Sequence, residues 1–214
     1  MDSLSIDLDV PYFKQSAIGS CGPACLLMVM KYHRPNLKFS RVSEFRAWMF
    51  AQLFPFGMTD AFGLAGFAAG RQFRASVIKE ETKFEFFFNY GRFTWLFTNI
   101  LVPSFRFNYE RIKSKAIKKG VKHHYKKIDF ETIEYYVKKK IPPIVMVEQT
   151  EYISDKNYPD GILHWVVVTG FNSEKVKIND PDIGPLVIPK TDFIKSINLT
   201  KKFNTDKRLV IIEK

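Results

Sequence analysis

The segment from Val10 to Tyr32 constrains the fold of this chain more than any other part of the sequence. It carries Cys21 directly in front of Gly22 and Pro23, followed by a continuous apolar run. Proline is favoured in the first turn of a helix, where its missing N–H costs no hydrogen bond. The sequence therefore predicts a helix that begins at Cys21, ends near His33 and has its apolar length buried in the core.

The position of Cys21 at a helix N-terminus indicates a reactive cysteine. The unpaired amides and the positive dipole end of a helix stabilise a thiolate. Gln15 lies on the loop before the helix, so its side-chain amide and the Cys21 backbone N–H are predicted to form an oxyanion hole. The alternative is that Cys21 only packs, as free cysteines often do. Cys25, one turn later among apolar residues, is the better candidate for that packing role.

A second informative segment runs from His164 to Asp180. Its pattern predicts a hairpin with strands from His164 to Phe171 and from Lys175 to Asp180. Because side chains alternate across a strand, His164 and Asp180 are predicted to share the inward face, with His164 opposite Asp180 or a near neighbour. A buried aspartate needs a partner, and it holds a histidine in one tautomer with the other nitrogen facing a thiol. Asn179 is the alternative orienting residue, and alternation predicts that it faces the other side.

The remaining elements are predicted from apolar spacing and from capping residues. Ser40 is predicted to cap a second helix whose apolar stripe belongs to the core, and Asp129 a later helix. The adjacent His123 and His124 are assigned to the surface of a loop, since neighbouring histidines rarely chelate one metal ion. The apolar stripe of the second helix is Val42, Phe45, Trp48, Met49 and Leu53. The later helix runs from Phe130 to Lys140, with Phe130, Ile133 and Val137 predicted to be buried. The other predicted elements are a strand-like arm within residues 1–20, a short helix closing at Gly70, a strand from Phe73 to Ile78, a basic helix from Asn108 to Lys119 and a strand from Ile144 to Val147.

The length and composition predict a single domain. A chain of 214 residues, of which 46% are apolar, can bury one core, whereas a second independent domain would be cramped. Residues 1–214 are therefore interpreted as one domain, with an aromatic-rich insertion at about 80–126. The most aromatic part, from Phe84 to Phe107, is assigned to core or interface packing, with a substrate groove as the alternative.

The charge and the cysteine content bear on partners and compartment. The chain has 33 basic and 22 acidic residues, which gives a formal net charge of +11. Its lysines lie on mixed helix faces without the spaced glycines and aromatic residues of an RNA-binding sheet, so a solvated surface is favoured over a nucleic-acid site. No apolar run approaches the roughly 20 residues of a membrane span. Two cysteines four residues apart predict no disulfide, and the acidic N-terminus is not a secretory signal, so a cytoplasmic location is expected.

Together the two segments resemble the C39-type peptidases of the papain-like cysteine protease superfamily. The resemblance rests on Gln15, on the string CGPA from Cys21, on HWVVVTG from His164 and on NDP from Asn179. It covers roughly the first 35 and the last 85 residues, in the family's order of cysteine, histidine and aspartate. It implies an α+β papain-like fold in which the N-terminal catalytic helix packs on an antiparallel β-sheet. It also implies Cys21 as nucleophile, His164 as base, Asp180 as orienting residue and Gln15 as oxyanion donor.

The predicted function is hydrolysis of a peptide or other amide bond through a thioester on Cys21, with no metal or organic cofactor. The sequence contains no ATP-binding cassette, so the leader peptides cleaved by exporter-linked C39 domains are not taken over as the substrate. Two alternatives remain open. A papain-like transpeptidase or acyltransferase would resolve the thioester with an amine or a thiol. A non-catalytic binding protein on the same scaffold would hold an anionic partner on its basic and aromatic surface.

Overall fold

The computed structural model describes residues 5–38, 40–53, 58–80, 102–153, 163–200 and 206–214. Within these residues, helices pack on one large sheet. The helices are α1 (Cys21–His33), α2 (Arg41–Ala51), α3 (Ala61–Ala69), α4 (Val102–Lys118), α5 (Phe130–Lys138) and α6 (Lys190–Leu199). The strands are β1 (Ile6–Asp7), β2 (Gln52–Leu53), β3 (Met58–Thr59), β4 (Arg74–Lys79), β5 (Lys122–Tyr125), β6 (Ile144–Glu148), β7 (Leu163–Phe171), β8 (Lys175–Asp180), β9 (Gly184–Pro189) and β10 (Arg208–Glu213).

The large sheet has the strand order β5-β4-β10-β6-β7-β8-β9, and β1 adds to β7. Neighbouring strands in this order are antiparallel except β4 and β5, which run parallel at one edge. Helix α1 packs on β7 in the middle of the sheet, and every residue from Cys21 to Met30 is buried. The predicted α+β fold, with the cysteine helix on a mainly antiparallel sheet, is confirmed.

The predicted helix caps are also confirmed. Helix α1 has the predicted bounds, Cys21–His33. The Ser40 hydroxyl accepts a hydrogen bond from the Ser43 N–H at 3.0 Å at the start of α2. The Asp129 carboxylate accepts one from the Thr132 N–H, also at 3.0 Å, at the start of α5. In each case a side-chain oxygen binds an amide that the helix itself leaves unpaired.

The core stripe predicted for α2 is wrong for three of its five members, whereas Leu53, just beyond the helix, is buried as predicted. The three members are more than half exposed, at 60%, 56% and 54%: Val42, Phe45 and Met49. The buried side of the helix consists of Glu44, Ala47 and Ala51. Small residues are needed there because α2 and α3 nearly touch: a Cβ on Gly63 would lie 2.4 Å from the Cα of Ala51. A large apolar side chain therefore does not fit at Ala51.

Two further predictions concern residues 84–125. His123 and His124 are exposed, as predicted, but they lie on strand β5 rather than in a loop. Residues 84–101 of the aromatic segment lie outside the described residues. The remainder lies in α4, where Phe105 and Tyr109 are buried. The ring of Tyr109 packs edge-on against Phe62 of α3, with 6.1 Å between centroids.

The hairpin of β7 and β8 has the predicted strands and contains a bulge. Near the turn, Gly170 lies opposite Lys177, whereas Val168 lies opposite Ile178. Thr169 is therefore an extra residue on β7, without a partner on β8. The bulge is held from outside the hairpin, because the Leu8 N–H donates to the Thr169 carbonyl at 2.7 Å.

The bulge brings Asp180 to the face of His164. Beyond the bulge Val167 pairs with Asn179, so Asp180 comes opposite Val166, which shares a face with His164. Without the extra residue Asp180 would come opposite Val167, on the other face. The predicted shared face is thus confirmed, while the position directly opposite Asp180 belongs to Val166.

Among the described residues, no helix is both long and apolar enough to cross a bilayer. The same part of the chain contains no group of His, Cys, Asp and Glu side chains arranged to hold a metal ion.

Candidate active site

Cys21 is the first residue of α1 and is only 7% exposed. The neighbouring Gly22 allows the helix to lie this close to the sheet. A Cβ on Gly22 would lie 2.4 Å from Thr59 Oγ1 and 3.1 Å from Trp165 Cδ1. Any larger residue would push the helix away from β7, and with it Cys21.

His164 lies on β7 and joins Cys21 to Asp180. Its Nε2 is 2.9 Å from Asp180 Oδ1, and both side chains are buried. A second side-chain hydrogen bond connects His164 with Cys21. Because Nε2 is bound to Asp180, the nitrogen that faces Cys21 is Nδ1. The structure thus brings three of the four predicted site residues into one hydrogen-bonded chain.

Asp180 is fully buried and accepts five hydrogen bonds. Its Oδ1 accepts from His164 and from the backbone N–H groups of Asp182, at 2.8 Å, and Ile183, at 3.3 Å. Its Oδ2 accepts from Tyr152 Oη at 2.8 Å and from Gln149 Nε2 at 3.3 Å. A buried carboxylate is stable only when such donors replace its water, so all five stabilise the ionised form.

The electrostatics favour a charged pair of Cys21 and His164. Burial alone would raise the pKa of the Cys21 thiol, but the His164 imidazolium, its hydrogen bond and the nearby amides of Trp165 and Gly22 lower that pKa overall. Burial would likewise lower the pKa of His164, but Cys21 and Asp180 raise it to about 10. Both shifts favour the thiolate–imidazolium form of the pair over its neutral form.

Gln15 is not part of this chain of hydrogen bonds. Its backbone N–H donates to the Pro181 carbonyl at 2.8 Å, and its Nε2 donates to Asp182 Oδ1 at 3.4 Å. The β8–β9 turn that supplies two amides to Asp180 therefore also holds Gln15. A primary amide nitrogen has two N–H groups, so one N–H of Gln15 remains for another acceptor after Asp182 is bound.

Cys25 is the packed cysteine, as predicted. It is fully buried, and its Sγ donates to the Trp165 carbonyl at 3.1 Å. Burial, reinforced by Cys21 and Asp180, raises the pKa of the Cys25 thiol well above its ordinary value. The Trp165 peptide is thus held by Cys25 at its carbonyl and by Cys21 at its N–H, which fixes α1 against β7 beside His164.

We expect iodoacetamide to label the folded protein at neutral pH on Cys21 alone, because Cys25 is a buried, protonated thiol. Cys25 is expected to react only after denaturation. Peptide mass spectrometry of native and unfolded samples measures both sites, and Cys25→Ser serves as the control, since serine keeps a donor to the Trp165 carbonyl. Labelling of both cysteines at similar rates in the native protein would contradict this assignment.

Comparison with known proteins shows which family this chain belongs to. The sequence model of the Peptidase C39-like family matches residues 10–196, a range that includes Gln15, Cys21, His164 and Asp180. The chain belongs to this family. No curated protein sequence matches it significantly.

Two solved structures are similar to this C39-like protein. One is a Bacillus anthracis protein assigned as a C39-like peptidase, with a TM-score of 0.54 and 14% identity over 100% of this chain and 99% of that one. The other is a double-glycine-motif protease from an AMS/PCAT transporter, solved in complex with the leader peptide. Its TM-score is 0.47, with 16% identity over 97% of this chain and 94% of that one. At these identities the first likeness shows the shared fold.

Sequence reasoning missed three polar groups around the site of this C39-like protein. Gln149 and Tyr152 lie outside the elements that were predicted from the sequence, yet both donate to Asp180. Gln149 directly follows the buried strand β6 and Tyr152 lies three residues further on, and polar residues just after a buried strand are a signal that marks them as candidates. Glu44 was missed because its helix was interpreted by its apolar residues alone.

A small apolar pocket opens beside Cys21, with a volume of about 70 Å³. It lies between the N-terminus of α1 and the paired strands β2 and β3. Its lining residues are Gly19, Cys21, Leu53, Met58, Thr59, Met146, Leu163, Trp165 and Arg208.

Proposed function

We propose that this C39-like protein is a cysteine peptidase that cleaves a peptide or other amide bond. Cys21 is the nucleophile, His164 the general base and acid, and Asp180 the residue that orients the imidazole. The observation that supports this most directly is the buried, hydrogen-bonded series from Cys21 through His164 to Asp180. A nucleophile, a base and an orienting carboxylate in series is the arrangement that covalent acyl transfer requires.

The reaction begins with attack of the Cys21 thiolate on the substrate carbonyl carbon, which forms a C–S bond and an oxyanion. The Cys21 backbone N–H and the second N–H of Gln15 Nε2 bind this oxyanion. His164 then donates the Nδ1 proton to the leaving nitrogen as the C–N bond breaks, and a thioester remains. Water attacks the thioester while Nδ1 accepts its proton, and the acid product leaves as the thiolate re-forms.

The pocket beside Cys21 indicates which part of a substrate binds next to the scissile bond. Its volume of about 70 Å³ and its leucine, methionine and tryptophan lining favour a small residue without charge, since the charge of Arg208 in the lining is already paired with Asp60 and Asp206. A peptide with a small residue such as glycine at this position is therefore the first substrate class to try.

The proposal is tested by the pH dependence of Cys21 alkylation with iodoacetamide in the wild type and in His164→Ala. A thiolate held by His164 is expected to react at pH 6 about 10- to 100-fold faster than an ordinary thiol, which is almost fully protonated there. In His164→Ala the rate should follow ordinary thiol ionisation. His123→Ala, which removes an exposed histidine from β5, is the matched control and should behave as the wild type.

The high-pH side of the profile follows from the pKa of His164. General-acid donation to the leaving nitrogen requires the imidazolium, so hydrolysis should decline as the pH rises towards about 10, even though the thiolate persists. Ordinary thiol behaviour in both the wild type and His164→Ala would overturn the peptidase proposal.

A further inference from the structure

Helix α2 buries an acidic side chain against the loop that leads to Cys21. Glu44 is 1% exposed. Its Oε1 accepts the Ser16 N–H at 2.8 Å and lies 2.8 Å from the Ser20 hydroxyl, which must be the donor because a carboxylate only accepts. Its Oε2 pairs with Arg41 Nη1 at 3.0 Å.

Arg41 reaches the same loop from the first turn of α2. Its Nη1 also donates to the Lys14 carbonyl at 2.5 Å, and its guanidinium lies over the Phe13 ring, 4.8 Å from the centroid. Arg41 and Glu44 therefore bind the peptide groups on the two sides of Gln15, at the Lys14 carbonyl and the Ser16 N–H. The β8–β9 turn binds the Gln15 N–H itself, so both peptide groups that flank this residue are held by hydrogen bonds.

Glu44 also reaches the residue before the nucleophile. Ser20 is fully buried and directly precedes Cys21, whose backbone N–H is the other proposed oxyanion donor. One carboxylate thus contacts both the Gln15 loop and the start of α1. Core packing does not account for a carboxylate here, since burying it is costly and the other buried positions of α2 are alanines.

We propose that Glu44 and Arg41 are positioning residues: they set the distance between the Gln15 side-chain amide and the Cys21 N–H, the two donors that form the oxyanion hole. This inference rests on the proposed peptidase function. Oxyanion donors act only within about 2.7–3.1 Å of the developing charge, and a displacement of about 1 Å lowers a rate by up to about 100-fold. Neither residue contacts the thiolate, so neither should alter its formation.

Two probes distinguish an effect on the thiolate of Cys21 from an effect on the oxyanion hole. Iodoacetamide alkylation requires only the thiolate. A peptide aldehyde, N-acetyl-glycyl-glycinal, instead forms a C–S bond with Cys21 while its carbonyl oxygen becomes the oxyanion, with no leaving group. Its affinity can be measured in the full chain by the protection of Cys21 from iodoacetamide, and it reports on the oxyanion hole.

We expect Glu44→Ala to weaken aldehyde binding about 10- to 100-fold while the pH profile of alkylation stays as in the wild type. Glu44→Gln keeps an acceptor for the Ser16 N–H and should restore part of the affinity. In combination with Gln15→Ala, Glu44→Ala should not weaken aldehyde binding further, since Glu44 acts on binding by positioning the Gln15 donor, which is then already absent. Glu134→Ala, which removes an acid paired with Lys138 and Lys190, is the matched control and should bind as the wild type.

Arg41→Ala carries the test if Glu44→Ala does not fold, because the Arg41 side chain is 57% exposed and its loss leaves Glu44 bound to the loop. Its expected effect is about 3- to 10-fold, again without a change in alkylation. Aldehyde affinities equal to the wild type in these variants, or a loss that adds fully to that of Gln15→Ala, would overturn the positioning role alone. The peptidase proposal, and this inference with it, would be overturned if the wild type did not bind the aldehyde and if its Cys21 were alkylated only at the pH at which an ordinary thiol ionises.

Discussion

An Asp180→Asn variant is expected to fold and to lose about 100- to 10,000-fold in the rate of amide hydrolysis. Oδ1 of Asp180 accepts from His164 and from two backbone amides, so the oxygen of an asparagine must stay there. The new amide group then replaces Oδ2, next to Tyr152 and Gln149. The imidazole keeps its orientation, but the negative charge that stabilises the imidazolium is gone.

The loss of this charge has a second expected result. The pKa of His164 should fall, because Asp180 helps to raise it, and fewer molecules should then carry the thiolate at neutral pH. The measurement is kcat/KM on a glycine-containing peptide together with the alkylation rate of Cys21 at pH 6. Asn179→Ala is the matched control. Asn179 faces the other side and donates to the Val10 carbonyl, so its loss should affect stability without affecting the rate per folded molecule. Equal rates in Asp180→Asn and Asn179→Ala would exclude Asp180 as the orienting residue.

An Arg208→Ala variant is expected to be destabilised by about 3–5 kcal/mol, because it leaves buried carboxylates without their main partner. Arg208 is 5% exposed, and its Nη1 and Nε bind Asp60 at 3.2 Å and Asp206 at 2.8 Å. Lys79, 3.4 Å from Asp206, is the other buried cation of the group. Since Asp60 also caps α3, the loss should loosen that helix together with the wall of the pocket beside Cys21.

Urea denaturation followed by circular dichroism measures this loss as a change in the free energy of unfolding. Arg74→Ala is the matched control, since it removes an arginine whose ion pair with Glu213 spans 3.9 Å at the surface. Its expected cost is below about 1 kcal/mol. If the two variants lost similar amounts of unfolding free energy relative to the wild type, the buried ion pairs of Arg208 would stabilise the fold no more than a surface ion pair does.

The elements predicted best from sequence are those whose local signals agree with their surroundings. Helix α1 carries a glycine–proline start, and from Cys21 to Met30 it is apolar and buried on every side, so its orientation did not have to be known. The hairpin of β7 and β8 was predicted to within one residue at its ends because its turn lies between two clear apolar strands.

Helix α2 shows why other features escape prediction. Apolar spacing indicates which residues share a face, but what that face meets depends on parts of the chain far away in sequence. The inner face of α2 meets the polar backbone of the Gln15 loop and the close surface of α3, which favour an acid and two alanines. The donors to Asp180 escaped prediction for a similar reason: the sequence shows that Gln149 and Tyr152 come after a buried strand, but it does not show that they contact a residue 28 or more positions away.

The bulge at Thr169 also links the candidate site to the order of folding. Its carbonyl binds the Leu8 N–H, and Gly170 and Phe171 pair with Asp7 and Ile6 of β1. These contacts join segments more than 150 residues apart, and such long-range contacts form slowly because a large loop must close first. Because β1 stabilises the bulge that brings Asp180 to the face of His164, we expect the contact between these two side chains to form late in folding. We therefore expect the lowered pKa of Cys21 to be a property of the completed fold, and the cysteine of a partly folded chain to react as an ordinary thiol.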